Sequence, residues 1–482
     1  MIKLSRNTIL FFSLSFILIL LTFATRFYGG ADILDYLDSA KFFAGDYSAK
    51  IRLSHSYAYG LLHALPIGLT ESFIFFKITS LISLFGIVYS VYRITNRDKR
   101  ALWLSLLSPI VWYMAPWASP IQLASLLFLW SYYFVRSYDK NEQLKDLCYS
   151  AILLGLSLVF WDGVLFFIPF FVLCFFYNKK LIQTINFIFF IFVGLTPRLV
   201  LDYILFGHPL FGLLRYSASA MYIIFFGGVY EQQPLSGVLK LVIVLLFLPF
   251  SSYALFKKNI FQDNKKNIIF LLACLLITVF NSQIRLLLFF IPLLTIILCK
   301  YLTKVQFIIQ IIFYMVLSLL VIVPYIIQIN HDTNFKDFGS IPYLTEGMQI
   351  TPGFTERMIK QDLNQISLDY PIQVLLVGPS FEDYRLLANA YNGENIKEFV
   401  SFEDYNLWAN NDTRVFGKEM CSHVKIPERR DFCTSFSIHK SFNDATDYDS
   451  IVYAISTGDT LNSSEFIFVK KYESLSIFSK IN

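Results

Sequence analysis

The chain has 482 residues, of which 56% are hydrophobic, 18% aromatic and 16% charged, with a mean hydropathy of +0.55. That much apolar surface cannot all turn inward around soluble cores, so a purely soluble protein is excluded. The net charge of +5 is small, and with no long basic run or nucleic-acid motif a nucleic-acid partner is excluded too.

In chain order, about eleven apolar segments are long enough to cross a bilayer as helices. They lie near 8–26, 72–92, 101–116, 119–136, 146–161, 163–178, 182–204, 237–256, 267–281, 285–302 and 305–328. The first has a second reading as a cleaved signal peptide, but its apolar run is long and "FATRFYGG" is a poor cleavage site. Basic residues gather at every second boundary: Lys3/Arg6, Arg93/Arg97/Lys99/Arg100, Arg136/Lys140/Lys145, Lys179/Lys180, Lys257/Lys258/Lys265/Lys266 and Lys300/Lys304. The positive-inside rule makes those boundaries cytoplasmic. The opposite set, 29–70, 117–120, 162, 205–236, 282–285 and everything after about 329, is then extracytoplasmic.

Between the first two spans lies "GGADILDYLDSAKFFAGDYSAKIRLSHSYAYG", with Asp32, Asp35, Asp38 and Asp46 beside very apolar segments. Helical spacing puts Asp32, Tyr36 and Ala40 on one face, with Asp35 next to Asp32. A carboxylate at an apolar boundary can act as a general base toward a hydroxyl. The plain alternative is an amphipathic loop helix with solvated acids. His55 and Tyr57 are placed to bond sugar hydroxyls or to join an aromatic interfacial belt.

Other charges fall inside or beside spans. Lys77, near the outer end of the second span, is expected to snorkel outward or meet an ionic partner. Arg198 and Asp202, four apart, are expected to pair along one helix. Asp162 in "FWDGVLFF" is expected to serve its tight turn. Arg285, at an outer helix junction, offers a guanidinium that grips phosphate in bidentate fashion or snorkels. His208 and Arg215, in an outer loop, are further cation candidates.

From about residue 330 charged and turn-forming residues become frequent. "PIQVLLVGPS", "SIVYAIST" and "EFIFVKKYESLSIFSKI" read as strands and "FEDYRLLANAY" as a helix, giving a small soluble α/β domain. Gly378 is a strand-end turn, not a nucleotide fingerprint. Cys148, Cys174, Cys274 and Cys299 belong to membrane packing. Cys421 and Cys433 are the two outer cysteines and suit a disulfide; His423 between them does not complete a zinc spacing. Asn411 and Asn462 head glycosylation sequons.

The run from Asp32 through Tyr36, Ala40, Gly45, Asp46 and Tyr47, followed by "IRLSHSYAYGLLHALP", resembles the first outer loop of GT-C glycosyltransferases. "LDYILFGHPLFGLLRY" is similar to their D-x-x-x-x-G-x-P segment, and "NSQIRLLLFFIPLL" to their Arg-containing run before a late helix. The nearest likeness is to the mannosyltransferases of lipid-linked oligosaccharide and glycolipid-anchor synthesis and to protein O-mannosyltransferases. It covers residues 8–328 and implies an acid after the first span as catalytic base, at Asp32, and a polyprenyl-phosphate sugar as donor. The family's Asp-Glu pair is Asp32-Ile33 here, which keeps Asp35 as a second candidate base, and its His-Lys before the late arginine is missing.

The sequence thus predicts a polytopic α-helical membrane protein of the GT-C type with a C-terminal extracytoplasmic α/β domain. Residues 1–329 form the helical domain, with an outer-loop catalytic site in 28–70, and residues 330–482 form the soluble domain. The predicted activity is hexosyl transfer, of mannose or another hexose, from a polyprenyl-phosphate donor to an extracytoplasmic glycan, lipid or protein. Asp32 or Asp35 is the base. Arg285, His208 and Arg215 bind donor phosphate, and His55, Tyr57 and Tyr36 bind substrate. No metal is required, although carboxylates at 32, 35 and 38 leave room for a divalent ion. The expected location is the plasma membrane or an endomembrane. The rival readings are a transporter or flippase of lipid-linked glycan, which should carry internal repeats, and a non-catalytic assembly factor.

Overall fold

The computed structural model describes residues 6–25, 29, 32–45, 57–70, 74–176, 179–214, 216–217, 242, 245–281, 284–330, 361–363, 365–366, 374–378, 396–400, 453–456, 466–472 and 475–481. The helices are α1 (Arg6–Ala24), α2 (Asp32–Phe43), α3 (Ala58–Thr70), α4 (Ile74–Ile94), α5 (Lys99–Leu106), α6 (Pro109–Met114), α7 (Pro120–Asn141), α8 (Leu144–Phe160), α9 (Ile168–Phe171), α10 (Leu181–Phe206), α11 (Lys258–Asn281), α12 (Leu287–Leu298) and α13 (Lys304–Asn330). The chain divides into two compact units. One comprises 1–30, 74–200 and 233–349, and the other 31–73, 201–232 and 350–482.

In the first unit α7 packs between α4 and α8, and α12 joins them. All twelve residues of α12 are buried, as expected of a helix apolar on every side at the centre of a bundle. Phe128 of α7 is the hub of an aromatic core, its ring 5.1 Å from Phe167, 5.4 Å from Phe171 and 5.2 Å from Phe289. Outward, α1 presents Ile9, Phe12, Phe16 and Leu20, and α13 presents Ile308, Ile312, Val316 and Leu319. Apolar stripes of that length on exposed helix faces belong against lipid. Among the described residues, 74–94, 181–205 and 304–323 are long and apolar enough to cross a bilayer by themselves. The chain is an integral membrane protein.

Several expected spans are interrupted. The segment expected over 101–116 breaks into α5 and α6 because Pro109 takes the first helical position of α6 and holds Ser108 extended, as the residue before proline prefers. The segment expected over 163–178 winds as 3-10 (Asp162–Phe167), α9 and then π helix (Val172–Phe176). That expected over 285–302 begins with a 3-10 turn, Ile284–Leu286.

Two glycines set the crossing of α8 and α10. A Cβ on Gly155 would run into the Ile191 carbonyl oxygen, and one on Gly194 into the Ile152 carbonyl oxygen. Such close backbone approach through small residues drives helix association in membranes. Gly194→Val is therefore expected to cost about 1–3 kcal/mol of stability by overpacking, read as a lowered thermal midpoint in detergent. An unchanged midpoint would mean that the crossing relaxes freely.

In the second unit α2 and α3 pack tightly. α3 was not expected as a helix, because its apolar run is short and follows the polar "LSHSYAYG". Gly60 lies where a Cβ would stand 2.7 Å from the Tyr36 carbonyl oxygen, and Gly68 faces Ala44. The C-terminal part of this unit holds β1 (Val374–Gly378), β2 (Ile396–Val400), β3 (Tyr453–Ser456), β4 (Phe466–Lys471) and β5 (Ser476–Lys480). Their order is β2-β1-β3-β5-β4, with β1 parallel to β2 and β3, and β5 antiparallel to β3 and β4. The expected strands are present, and β2 is an addition. The helix expected at "FEDYRLLANAY" lies outside the described residues. Ile477 and Phe478 of β5 are buried, and Asp362 Oδ2 accepts a hydrogen bond from Leu475 N at 3.1 Å.

Candidate active site

Asp32 is the first residue of α2 and Asp35 follows one turn on. Their side chains, with that of Asp38, lie outside the described residues. The helix itself is firmly seated, with Ile33, Tyr36, Leu37 and Ala40 all buried, spaced i, i+3, i+4, i+7 along one face. Position 32 falls at the margin of that face, one turn before Tyr36. The Tyr36 ring meets Tyr59 of α3 edge-on at 5.4 Å.

Tyr57, at the entry to α3, is buried, and its hydroxyl donates to Asp202 Oδ1 near the end of α10. Asp202, fully buried, accepts at Oδ2 from Gly212 N, 2.9 Å away. One carboxylate thus ties the start of α3, the end of α10 and the 207–214 loop together, and all three belong to the second unit. Tyr36 and Tyr57 are packed residues. His208 is exposed, with Nδ1 accepting from Leu210 N at 3.3 Å. His55, Arg215, Cys421, Cys433, Asn411 and Asn462 lie outside the described residues.

The first unit holds the other candidates. Arg285 sits in the 3-10 turn before α12, half-buried, with its guanidinium carbon 5.7 Å from the centre of the Trp117 ring. Trp117, in the connection between α6 and α7, is 1% exposed. Its indole N–H donates to Tyr325 Oη at 3.0 Å, and Tyr325 Oη donates to the Tyr113 carbonyl at 3.0 Å. Nothing in the sequence alone singled out Trp117. The available signal was a tryptophan between prolines in a short outer connection.

Three charged residues have partners that local reasoning missed. Lys77 does not snorkel: it is buried, and Nζ donates to the Thr22 and Thr25 carbonyls at 2.8 and 2.7 Å. These are the carbonyls that the C-terminus of α1 leaves without intrahelical donors, and a cation is favoured there by the helix dipole. Arg198 pairs across helices with Asp162, Nη1 to Oδ1 at 2.7 Å, both side chains almost fully buried. Asp202 is engaged by the Tyr57 hydroxyl, and Asp162 does more than shape its turn. Among the described residues no three His, Cys, Asp or Glu side chains gather as a metal site.

No protein-family model matches the sequence, and no curated protein matches it. Solved structures do. ArnT from Cupriavidus metallidurans bound to undecaprenyl phosphate superposes with a TM-score of 0.59, at 10% identity over 98% of each chain. The same protein in the apo state gives 0.58, at 11% identity over 99% of each chain. The chain therefore shares the fold of that protein over almost its whole length.

Proposed function

We propose that this protein is a membrane glycosyltransferase that takes a sugar from a polyprenyl-phosphate donor and passes it to an extracytoplasmic glycan, lipid or protein. The observation that carries the reading is the fold, shared end to end with a protein whose structure holds undecaprenyl phosphate. The sugar proposed is a hexose such as mannose, on the strength of the motif likeness. The alternating basic clusters put the amino terminus in the cytoplasm and residues 330–482, proposed as an α/β domain beside the helical 1–329, outside the plasma membrane. There Cys421 and Cys433 are proposed to form a disulfide.

In the proposed reaction the Asp32 carboxylate takes the proton of an acceptor hydroxyl. The hydroxyl oxygen attacks the anomeric carbon from the face opposite the leaving group. The carbon–oxygen bond to the lipid phosphate breaks, its electron pair leaves with the phosphate, and the anomer inverts. Asp35 is the alternative base. Arg285 balances the charge of the phosphate as it departs, because a guanidinium suits phosphate geometry; His208 and Arg215 are secondary cations. His55, Tyr57 and Tyr36 are proposed to line the substrate from this segment.

Arg285→Ala is expected to weaken binding of undecaprenyl phosphate about tenfold or more, since charge-assisted hydrogen bonds to phosphate are lost. The check is a titration of the lipid into purified protein in nanodiscs. The function itself is tested by offering the protein a panel of polyprenyl-phosphate sugars with membrane-extract acceptors. An anomer-inverted product supports the reading. Donors that stay intact while crossing the bilayer would make the protein a transporter.

A further inference from the structure

Arg285 does not reach its place by its own helix alone. The 3-10 turn Ile284–Leu286 that carries it leaves the side chain half-buried, and a long guanidinium side chain in that position has rotamer freedom to lose when it binds. What faces it is the flat of the Trp117 ring, 5.7 Å from guanidinium carbon to ring centre. That ring is held from several sides. Its N–H is bonded to Tyr325 Oη at 3.0 Å. Its backbone carbonyl accepts from Gln122 Nε2 at 3.0 Å, and its backbone N–H donates to the Met114 carbonyl at 3.1 Å. The Tyr113 ring lies 5.5 Å away. On another side Gly29 approaches so closely that a Cβ would stand 3.0 Å from ring carbon Cε3, in a backbone conformation, φ +122°, that side chains rarely adopt.

We infer that Trp117 is a positioning residue: its immobilised ring holds the Arg285 guanidinium in the attitude in which it grips an anionic phosphate ester at the end of a lipid. This rests on the reading of Arg285 as a donor-phosphate ligand. The chemistry favours such a pairing. A weakly hydrated, planar guanidinium is drawn to the electron-rich face of an indole. A shelf that is already ordered lowers the entropic cost of ordering the arginine when the phosphate arrives. Trp117 has no role in bond making and touches no reacting atom, so its effect belongs to donor affinity.

The test is a double-mutant cycle on affinity for undecaprenyl phosphate in nanodiscs, with the donor KM and kcat measured alongside. Trp117→Leu is expected to lower affinity about tenfold and to raise KM with little change in kcat, whereas Trp117→Phe, which keeps an aromatic face, recovers most of the loss. On an Arg285→Ala background Trp117→Leu is expected to cost nothing further. Tyr325→Phe, which removes the indole's acceptor but leaves the core apolar, gives a smaller loss that also vanishes without Arg285, and it serves if Trp117→Leu does not fold. Equal losses with and without Arg285 would make Trp117 merely structural and overturn the inference while leaving the donor-phosphate role of Arg285 intact. Parental affinity in Arg285→Ala would instead sink that role itself. Inorganic phosphate at matching concentration is expected not to displace the lipid; displacement would overturn the lipid part of the assignment.

Discussion

Asp32→Asn is expected to lower turnover by about 10²-fold or more while undecaprenyl phosphate binding stays near the parental value. Asparagine keeps the size and much of the hydrogen bonding of aspartate but cannot take the acceptor's proton. The substitution should leave α2 in place, because the helix is held by Ile33, Tyr36, Leu37 and Ala40 and by its contact with α3 at Gly60, not by its acids. Asp35→Asn should cost less unless it is the base, in which case the two effects exchange. Steady-state transfer with folded variants checks the claim, and parental rates in both would reduce the acids of α2 to solvated side chains.

The second large effect concerns stability. Asp162→Ala takes away the carboxylate 2.7 Å from a fully buried Arg198, and removing one partner of a buried pair costs about 3–5 kcal/mol. Low yield and a sharply lowered thermal midpoint in detergent are expected. Replacing both partners, Asp162→Leu with Arg198→Met, should recover much of the loss, since well-packed apolar side chains can substitute for a buried pair. A double variant no more stable than Asp162→Ala would argue that the two charges serve different partners.

Much of the helical frame was legible because apolar runs of bilayer length have few other uses. The helical state of α2 was legible too, from the spacing of Asp32, Tyr36 and Ala40, but not its seat on Ile33 and Leu37. What escaped was set by contacts distant in sequence. Lys77 was read as a snorkelling lysine because its partners are backbone carbonyls of another helix, at Thr22 and Thr25, and carbonyls have no sequence signature. The local i, i+4 rule offers Arg198 only Asp202; the fold also brings Asp162 to it from just beyond α8. The bond from Tyr57 to Asp202 spans 145 positions, beyond any local reasoning. α3 was read as loop because its thirteen residues are too few to span a bilayer and its entry is polar. Trp117 was invisible for a related reason: an aromatic residue is common in this chain, and only its bonds to Tyr325 and its face toward Arg285 distinguish it.

The central claim is that the protein breaks the bond between a sugar and a lipid phosphate. The most direct measurement uses a polyprenyl-phosphate mannose labelled separately in the sugar and in the phosphate, given to the purified protein in proteoliposomes with an acceptor outside. The account predicts that the two labels part, the sugar appearing on the acceptor with inverted anomeric configuration and the phosphate staying with the lipid. Labels that remain together across the polyprenyl-phosphate panel, with acceptor present and the lipid bound, would contradict it.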